Sequence, residues 1–250
     1  MREQTHLIVG LGEVGAALAD VLSARVGNRV VGIDPAKGNH ADGIASGADF
    51  MHVCIPYSDQ FVEAVNAYIV HLDPDVIVVH STTPVGTTRS LAGGDAVHSP
   101  VEGLHPNLAK SILTFRKHFG GARAASAAAP FIELDIQTKC HNMPETTEFA
   151  KLASTSKFGI DLMVAREQAK ICRAIGVSYV EAVQEYQKDY NAGYQALDHG
   201  HFTRPILHPP QGRIGGHCLI QNVPLLVKSA PGLAPIHEML GAFNDGLPDR

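Results

Sequence analysis

The chain has 250 residues, 45% of them hydrophobic, and a formal net charge of −5. That length allows one large domain or two smaller ones sharing a core. The acidic balance argues against nucleic acid or an anionic membrane surface as the main partner, and no apolar run approaches the length needed to cross a bilayer.

The opening MREQTHLIVG enters a strand-like run at once, without the apolar stretch and cleavage site of a secretory signal. The four cysteines, Cys54, Cys140, Cys172 and Cys218, are scattered and form no CxxC pair. Neither a zinc ribbon nor a disulfide framework is expected, and the expected location is the cytoplasm.

Taken in order, His6–Gly10, Arg29–Ile33, Phe50–Ile55, Asp75–His80 and Ala96–Ser99 read as strands. They are rich in Val and Ile, and several are continuously apolar, as strands buried on both faces are. Between them, Glu13–Val26 and Ser58–Leu72 carry apolar residues at helical spacing. Alternation of this kind predicts a parallel sheet with right-handed crossovers. One or two further strand–helix units are expected between Glu102 and Met143. A long helix follows from Pro144 to Ile175, with Pro144, Glu145 and Glu148 suited to its start and Gly176 to its stop. Val180–Tyr190 reads as another helix, residues 199–217 as an irregular loop, and the tail after Pro231 as a short helix.

The segment Gly10-Leu-Gly12-Glu-Val-Gly15 sits directly between the first strand and the first helix. That context gives an otherwise weak GxGxxG match its meaning. Gly10 permits the tight turn, Gly12 lets the backbone approach a pyrophosphate over the helix N-terminus, and Gly15 lets helix and strand pack closely. Asp34 ends the second strand, where a carboxylate accepts hydrogen bonds from the adenosine ribose. It would repel a 2′-phosphate, so the expected cofactor is NAD rather than NADP. The expected cofactor contacts are Gly10, Gly12, Glu13, Val14, Gly15 and Asp34, with Ile55, Pro56, Ser81 and Thr82 after the next strands. The plain alternative is a helix-packing glycine cluster with an incidental aspartate.

Four further segments occur in a fixed order: Ser81-Thr-Thr-Pro-Val-Gly-Thr87, His98-Ser-Pro-Val-Glu102, Thr147-Glu-Phe-Ala-Lys-Leu152 and Ile214-Gly-Gly-His-Cys218. Together they resemble the UDP-glucose/GDP-mannose dehydrogenase superfamily, the NAD-dependent nucleotide-sugar 6-dehydrogenases, over residues 6–222. The resemblance implies that Thr82 positions water or substrate near the nicotinamide and that Lys151 stabilises a developing alkoxide. It implies Cys218 as the nucleophile, holding the intermediate aldehyde as a thiohemiacetal. A second hydride transfer then leaves a thioester for water to hydrolyse. Glu102 is the candidate for the family's catalytic glutamate.

The sequence departs from that pattern at named positions. Thr155 stands where the family has Asn, Asn222 where it has Asp, and Val101 intervenes before Glu102. The chain reads as a truncated form lacking the family's C-terminal domain. The substrate could then differ from a UDP-sugar, and the reaction could stop after one oxidation. Each site residue also has a plain reading. Cys218 could be an inert core thiol like Cys54 and Cys172, Lys151 a solvated helix lysine, and Ser81 and Thr82 caps of a following helix. His199, His201, His208 and His217 beside Cys218, and His98 with His105, raise zinc chemistry. None has the helical spacing of a zinc site, and no metal is expected.

The expected architecture is α/β: a Rossmann-type doubly wound parallel sheet over residues 1–140, followed by a helical substrate and dimerisation region over 141–250. The expected activity is NAD-dependent oxidation of a hydroxyl on a sugar-like or nucleotide-sugar substrate by a homodimer. An epimerase, a metal-assisted lyase or hydrolase, and a non-catalytic NAD-binding module stay open beside it.

Overall fold

A computed structural model describes residues 3–104, 106–214 and 217–246, except the side chains of His217, Cys218 and Ile220. The chain divides into two compact units, Met1–Leu152 and Ala153–Arg250, with the division inside one helix.

The first unit is built on seven strands, β1 (Gln4–Val9), β2 (Asn28–Ile33), β3 (Phe50–Val53), β4 (Val76–Val79), β5 (Val97–His98), β6 (Lys117–Gly120) and β7 (Thr138–His141). Their order in the sheet is β2-β1-β3-β4-β5-β6-β7. The first five strands run parallel, as the alternating pattern predicts. The chain leaves β1 toward β2 on one side and then crosses to β3 on the other. The order therefore reverses between β1 and β3, which is where ligands bind in doubly wound sheets.

Side chains alternate across the sheet. Leu7, Val9, Met51, Val53, Ile77 and Val79 pack with Phe61, Val65 and Leu72 of α2 (Phe61–Leu72). Ile8, Phe50, Val76 and Val78 pack on the opposite face under α1 (Glu13–Ser23), α3 (Leu108–Thr114) and α4 (Ala124–Ile132). With both faces covered, the strands must be apolar in both registers, which explains their unbroken hydrophobic runs.

β6 departs from the parallel expectation, pairing antiparallel with β5 through His98 and Gly120. It starts at the carboxyl end of the sheet, where the Lys117 amino group bonds the carbonyls of Ser99 and Pro100, just past β5. The seven residues of α3 rise only about 10 Å, too little to return the chain along the full sheet. Four of the histidines lie in the interior. His6, His52, His80 and His98 are all buried in or directly after strands.

Helix α5 (Pro144–Ile175) has the predicted bounds. Gly176 ends it at φ +78°, and the amide of Val177 returns to the carbonyl of Cys172, the expected glycine stop. The second unit contains the rest of α5, a π-helical segment (Val180–Glu185) continuing into α6 (Tyr186–Ala196), α7 (His217–Ser229) and α8 (Pro235–Asp245). Its core gathers Met163, Ile214, Leu219, Val223 and Leu240.

The buried histidines make stability depend on pH. Burial lowers His6 to about 4 and His98 to about 3, from 6.5. The unfolded chain takes up these protons near pH 6.5 while the folded chain does not, so acid favours unfolding. Melting temperature is expected to fall steadily from pH 6.5 toward pH 5, above the range where carboxylates titrate. A melting temperature flat over that interval, followed by circular dichroism, would contradict it.

Candidate active site

The glycine turn fits the space at the topological switch tightly. Gly10 has φ +92°, and a Cβ there would lie 2.9 Å from the Cys54 carbonyl carbon and oxygen and from Ile55 Cγ2. A Cβ at Gly15 would lie 1.8 Å from the Gly10 carbonyl oxygen, so α1 seats directly on the turn. At Gly12 a Cβ would meet nothing within 4 Å. Gly10 and Gly15 are therefore required by the protein's own packing. Gly12 is not, and the open space over it is what a pyrophosphate at the helix N-terminus needs. Glu13 and Val14 begin α1 beside it.

Asp34 and Lys37 fix the peptide of Leu11 within this turn. The Asp34 Oδ2 accepts from the Leu11 amide at 3.0 Å, and the Lys37 ammonium donates to the Leu11 carbonyl. Lys37 arrives there because a short 3₁₀ turn, Pro35–Lys37, follows Asp34 directly. The carboxylate thus stands at the end of β2 beside the glycine turn.

The next two strand ends are tied together. The Ser81 hydroxyl, directly after β4 and His80, donates to the Ile55 carbonyl at 2.6 Å. This overturns the capping alternative: only a 3₁₀ turn, Thr88–Ser90, follows, and its N-cap is Thr87 without a side-chain cap bond. Pro56 is exposed and Thr82 half-buried on the same rim.

The loop after Ser81 is held by a residue whose part the sequence did not reveal. Glu148, fully buried in the first turns of α5, accepts from the amide of Gly86 at 2.6 Å and of Thr88 at 2.8 Å. Thr83 adds its hydroxyl at 3.3 Å. One residue earlier, Thr147 lies 2.9 Å from His98 Nδ1, and His98 Nε2 donates to the Ser81 carbonyl at 3.2 Å. Glu145 pairs with Arg89 in a two-bonded contact, which lowers the glutamate's pKa. The motif Thr147–Leu152 therefore clamps the Ser81–Thr88 loop.

Lys151 lies three residues beyond Glu148, on the adjacent helical position. Its ammonium group donates to the Val101 carbonyl at 2.8 Å and pairs with Glu102 at 3.2 Å. The Lys151 side chain is 11% exposed and Glu102 45%. Lys151 is thus largely buried and engaged, not a solvated helix lysine. The structure brings Lys151 and Glu102 together despite the intervening Val101, because Val101 itself supplies the carbonyl that Lys151 grips.

Cys218 falls in the first turn of α7, but its side chain, with that of His217, lies outside the described residues, as does His105. In the second unit, Thr155 is half-buried on α5. Asn222 is 4% exposed on α7, with Nδ2 making no hydrogen bond to a described residue. Burial raises the Cys54 thiol to about 12, which keeps it protonated and inert. Among the described residues no three His, Cys, Asp or Glu side chains gather as a metal site, and no helix is long and apolar enough to cross a membrane. A groove of about 400 Å³ lies wholly in the second unit, lined by Lys157, Tyr179, Gln184 and Arg204, and holds none of the expected site residues.

The sheet order and the glycine turn define a Rossmann-type α/β fold. Comparison with known proteins narrows it. No protein-family model matches the chain. A UDP-N-acetyl-D-mannosamine dehydrogenase of Methanococcus maripaludis is 25% identical over 297 aligned positions, covering 96% of this chain and 65% of the relative. The chain thus spans just under two thirds of that relative's length. A solved UDP-D-ManNAc dehydrogenase from Pyrococcus horikoshii superposes with a TM-score of 0.77 at 18% identity, over 97% of this chain and 68% of that one. The 3-hydroxyisobutyrate dehydrogenase of Mycobacterium tuberculosis gives 0.72 at 16% identity, over 97% and 93%. The solved structures establish the fold. The resemblance drawn from the motifs is borne out: relatives aligned over 96% and 98% of the chain are named UDP-N-acetyl-D-mannosamine dehydrogenase and NDP-N-acetyl-D-galactosaminuronic acid dehydrogenase.

Replacing Glu148 with alanine strands the buried amide of Thr88 and the part-buried amide of Gly86 and should lower unfolding free energy by about 3 kcal/mol. Urea unfolding checks this, and a loss under about 1 kcal/mol would mean that the loop does not depend on the clamp.

Proposed function

We propose that the chain is an NAD-dependent dehydrogenase that oxidises a hydroxyl group of a nucleotide sugar, with the UDP-N-acetylhexosamines as the first class to test. The observation that carries this reading is the buried Lys151, paired with Glu102 on the same helical turns that clamp the Thr82 loop. The relatives' names supply the substrate class. The glycine turn and Asp34 support NAD: Gly12 leaves space for the pyrophosphate, and Asp34 at the end of β2 favours ribose hydroxyls over a 2′-phosphate.

NAD would supply the hydride acceptor. Gly10, Gly12, Glu13, Val14 and Gly15 would hold its pyrophosphate end, with Asp34 on the ribose and Ile55, Pro56, Ser81 and Thr82 along the rim. Lys151 stabilises the developing alkoxide, a charge most strongly felt in a water-poor setting. Glu102 takes the hydroxyl proton, and Thr82 positions water or substrate. Cys218 attacks the aldehyde to form a thiohemiacetal, which a second oxidation carries to a thioester and water to the acid. The residues before about 140 make the cofactor unit, and the helices after it the substrate and dimer region. The same reading makes the protein a cytoplasmic homodimer. Exposed Phe158, Ile171 and Ile175 on α5 are apolar surface suited to such a contact.

The test is NADH formation by the full chain with NAD and a panel of nucleotide sugars including UDP-N-acetyl-D-mannosamine. Cys218→Ser and Lys151→Ala should each lower kcat by about 100-fold or more. No NADH from any nucleotide sugar, or full activity in both variants, would overturn the reading.

A further inference from the structure

Three buried histidines cross one face of the sheet in a single file. His6 Nδ1 lies 3.1 Å from His52 Nε2, and His52 Nδ1 lies 3.0 Å from His80 Nε2. Successive rings stack with centroids 5.3 Å and 5.2 Å apart. His80 Nδ1 ends the file 2.7 Å from the Ser99 carbonyl oxygen. Beyond it lies Lys117, 5% exposed, 3.4 Å from the same Nδ1. Lys117 also reaches the carbonyls of Ser99 at 3.2 Å and Pro100 at 3.3 Å, under the faces of Phe119 and Phe131.

With Lys117 uncharged, the geometry assigns every ring proton. A carbonyl oxygen only accepts, so His80 carries its proton on Nδ1 and its Nε2 is a lone pair. His52 must then donate from Nδ1, which leaves its Nε2 to accept from His6 Nδ1. The file is one-directional, and it ends at the buried Nε2 of His6, beside the Asn28 side chain. Burial keeps all three rings neutral.

Lys117 is matched to either polarity. As an ammonium it has three protons for three acceptors, Ser99 O, Pro100 O and His80 Nδ1; the last accepts only if all three rings reverse, which gives up the His80 Nδ1–Ser99 O bond and leaves the ammonium to bridge those two acceptors. As a neutral amine it has two protons for the two carbonyls and a lone pair facing the His80 Nδ1 proton. The two states interconvert with one proton. A proton binding His6 Nε2 moves the His6 Nδ1 proton to His52 Nε2, the His52 Nδ1 proton to His80 Nε2, and the His80 Nδ1 proton to the Lys117 amine. Each ring then holds its proton on Nε2, and Lys117 is an ammonium. The reverse sequence discharges it.

The consequence reaches the candidate site through the backbone. Lys117 holds the carbonyls of Ser99 and Pro100, and Lys151 holds that of Val101 and the carboxylate of Glu102. Two lysines thus fix consecutive peptides of the segment that presents Glu102. We propose that Lys117 is a positioning residue for this site, and that the file His80–His52–His6 is the path by which its amine gains and loses a proton. The positioning role rests on the dehydrogenase reading; the proton path does not.

The charged and titratable groups facing Lys117 are Cys54, Glu102 and Lys151, with His80 in contact and His98 nearby. Those around the far end at His6 are Asp49 and Arg25, with Asn28 beside them. Burial lowers Lys117 to about 7, within reach of ordinary assay conditions.

Nitrogen-15 NMR of the histidine rings in the ligand-free full chain tests the path without any substrate. From about pH 9 to about pH 5, His52 and His80 should change together from the Nδ1–H to the Nε2–H form with a midpoint near 7. In Lys117→Met they should stay Nδ1–H. Rings that never switch, or that switch in Lys117→Met, overturn the path. For the positioning role, kcat/KM for NADH formation should show a limb with the same midpoint. Lys117→Met should lose that limb and about 10-fold in rate, with the KM for NAD unchanged. An identical pH profile in the variant overturns that role. Should Lys117→Met not fold, His52→Phe breaks the file away from the loop and should move the limb by about half a pH unit; an unmoved limb overturns the link. If no nucleotide sugar yields NADH while the rings switch as expected, the dehydrogenase reading fails and the proton path stands.

Discussion

Gly15 has no room for a side chain, because any Cβ there would sit 1.8 Å from the carbonyl oxygen of Gly10. That contact sets the first helix directly on the turn that leaves β1, at the one place where the strand order reverses. Overpacking typically costs about 1–3 kcal/mol, and a contact this close is with backbone, so the turn's geometry is imposed by the fold and not by a ligand. The helix N-terminus, the open side of Gly12 and the Asp34 carboxylate all take their places from it.

A second constraint builds the other half of the site. Glu148 is a buried carboxylate held by amides of the loop after β4. Charge-assisted bonds of this type are worth roughly twice a neutral bond, and losing the partner would leave buried amides unsatisfied. Because Lys151 follows one turn later, the clamp that orders the Thr82 loop also sets the height of the Lys151 ammonium beside Glu102. Loop, lysine and glutamate are thus arranged by one stretch of helix, all within the first unit.

The strands and the glycine turn were legible in the sequence because their cause is local. Runs such as Val76–Val79 are apolar in both registers, and Gly10–Gly15 lies between a strand and a helix. The long helix was legible to the residue, since Pro144 and Gly176 mark its ends chemically. What the sequence hid depends on partners far along the chain. The antiparallel β6 places Lys117 against the Ser99 and Pro100 carbonyls, a contact no periodicity encodes. Glu148 read as a favourable charge at a helix start, and only the fold places it against Gly86 and Thr88. The buried histidines were hidden because a lone His within a strand carries no sign of the neighbour it will meet. Their only trace was the count of 14.

The central claim is that the open side of Gly12 is where the cofactor's pyrophosphate lies. Calorimetric titration of NAD into the full chain and into Gly12→Val tests it most directly. Nothing lies within 4 Å of a Cβ at Gly12, and its φ of −66° is one any residue adopts, so the variant should fold and melt as the parent does. The account predicts that the parent binds NAD and that the variant loses at least about 100-fold in affinity, since the valine fills the pyrophosphate's space. Equal binding by the two proteins would contradict it.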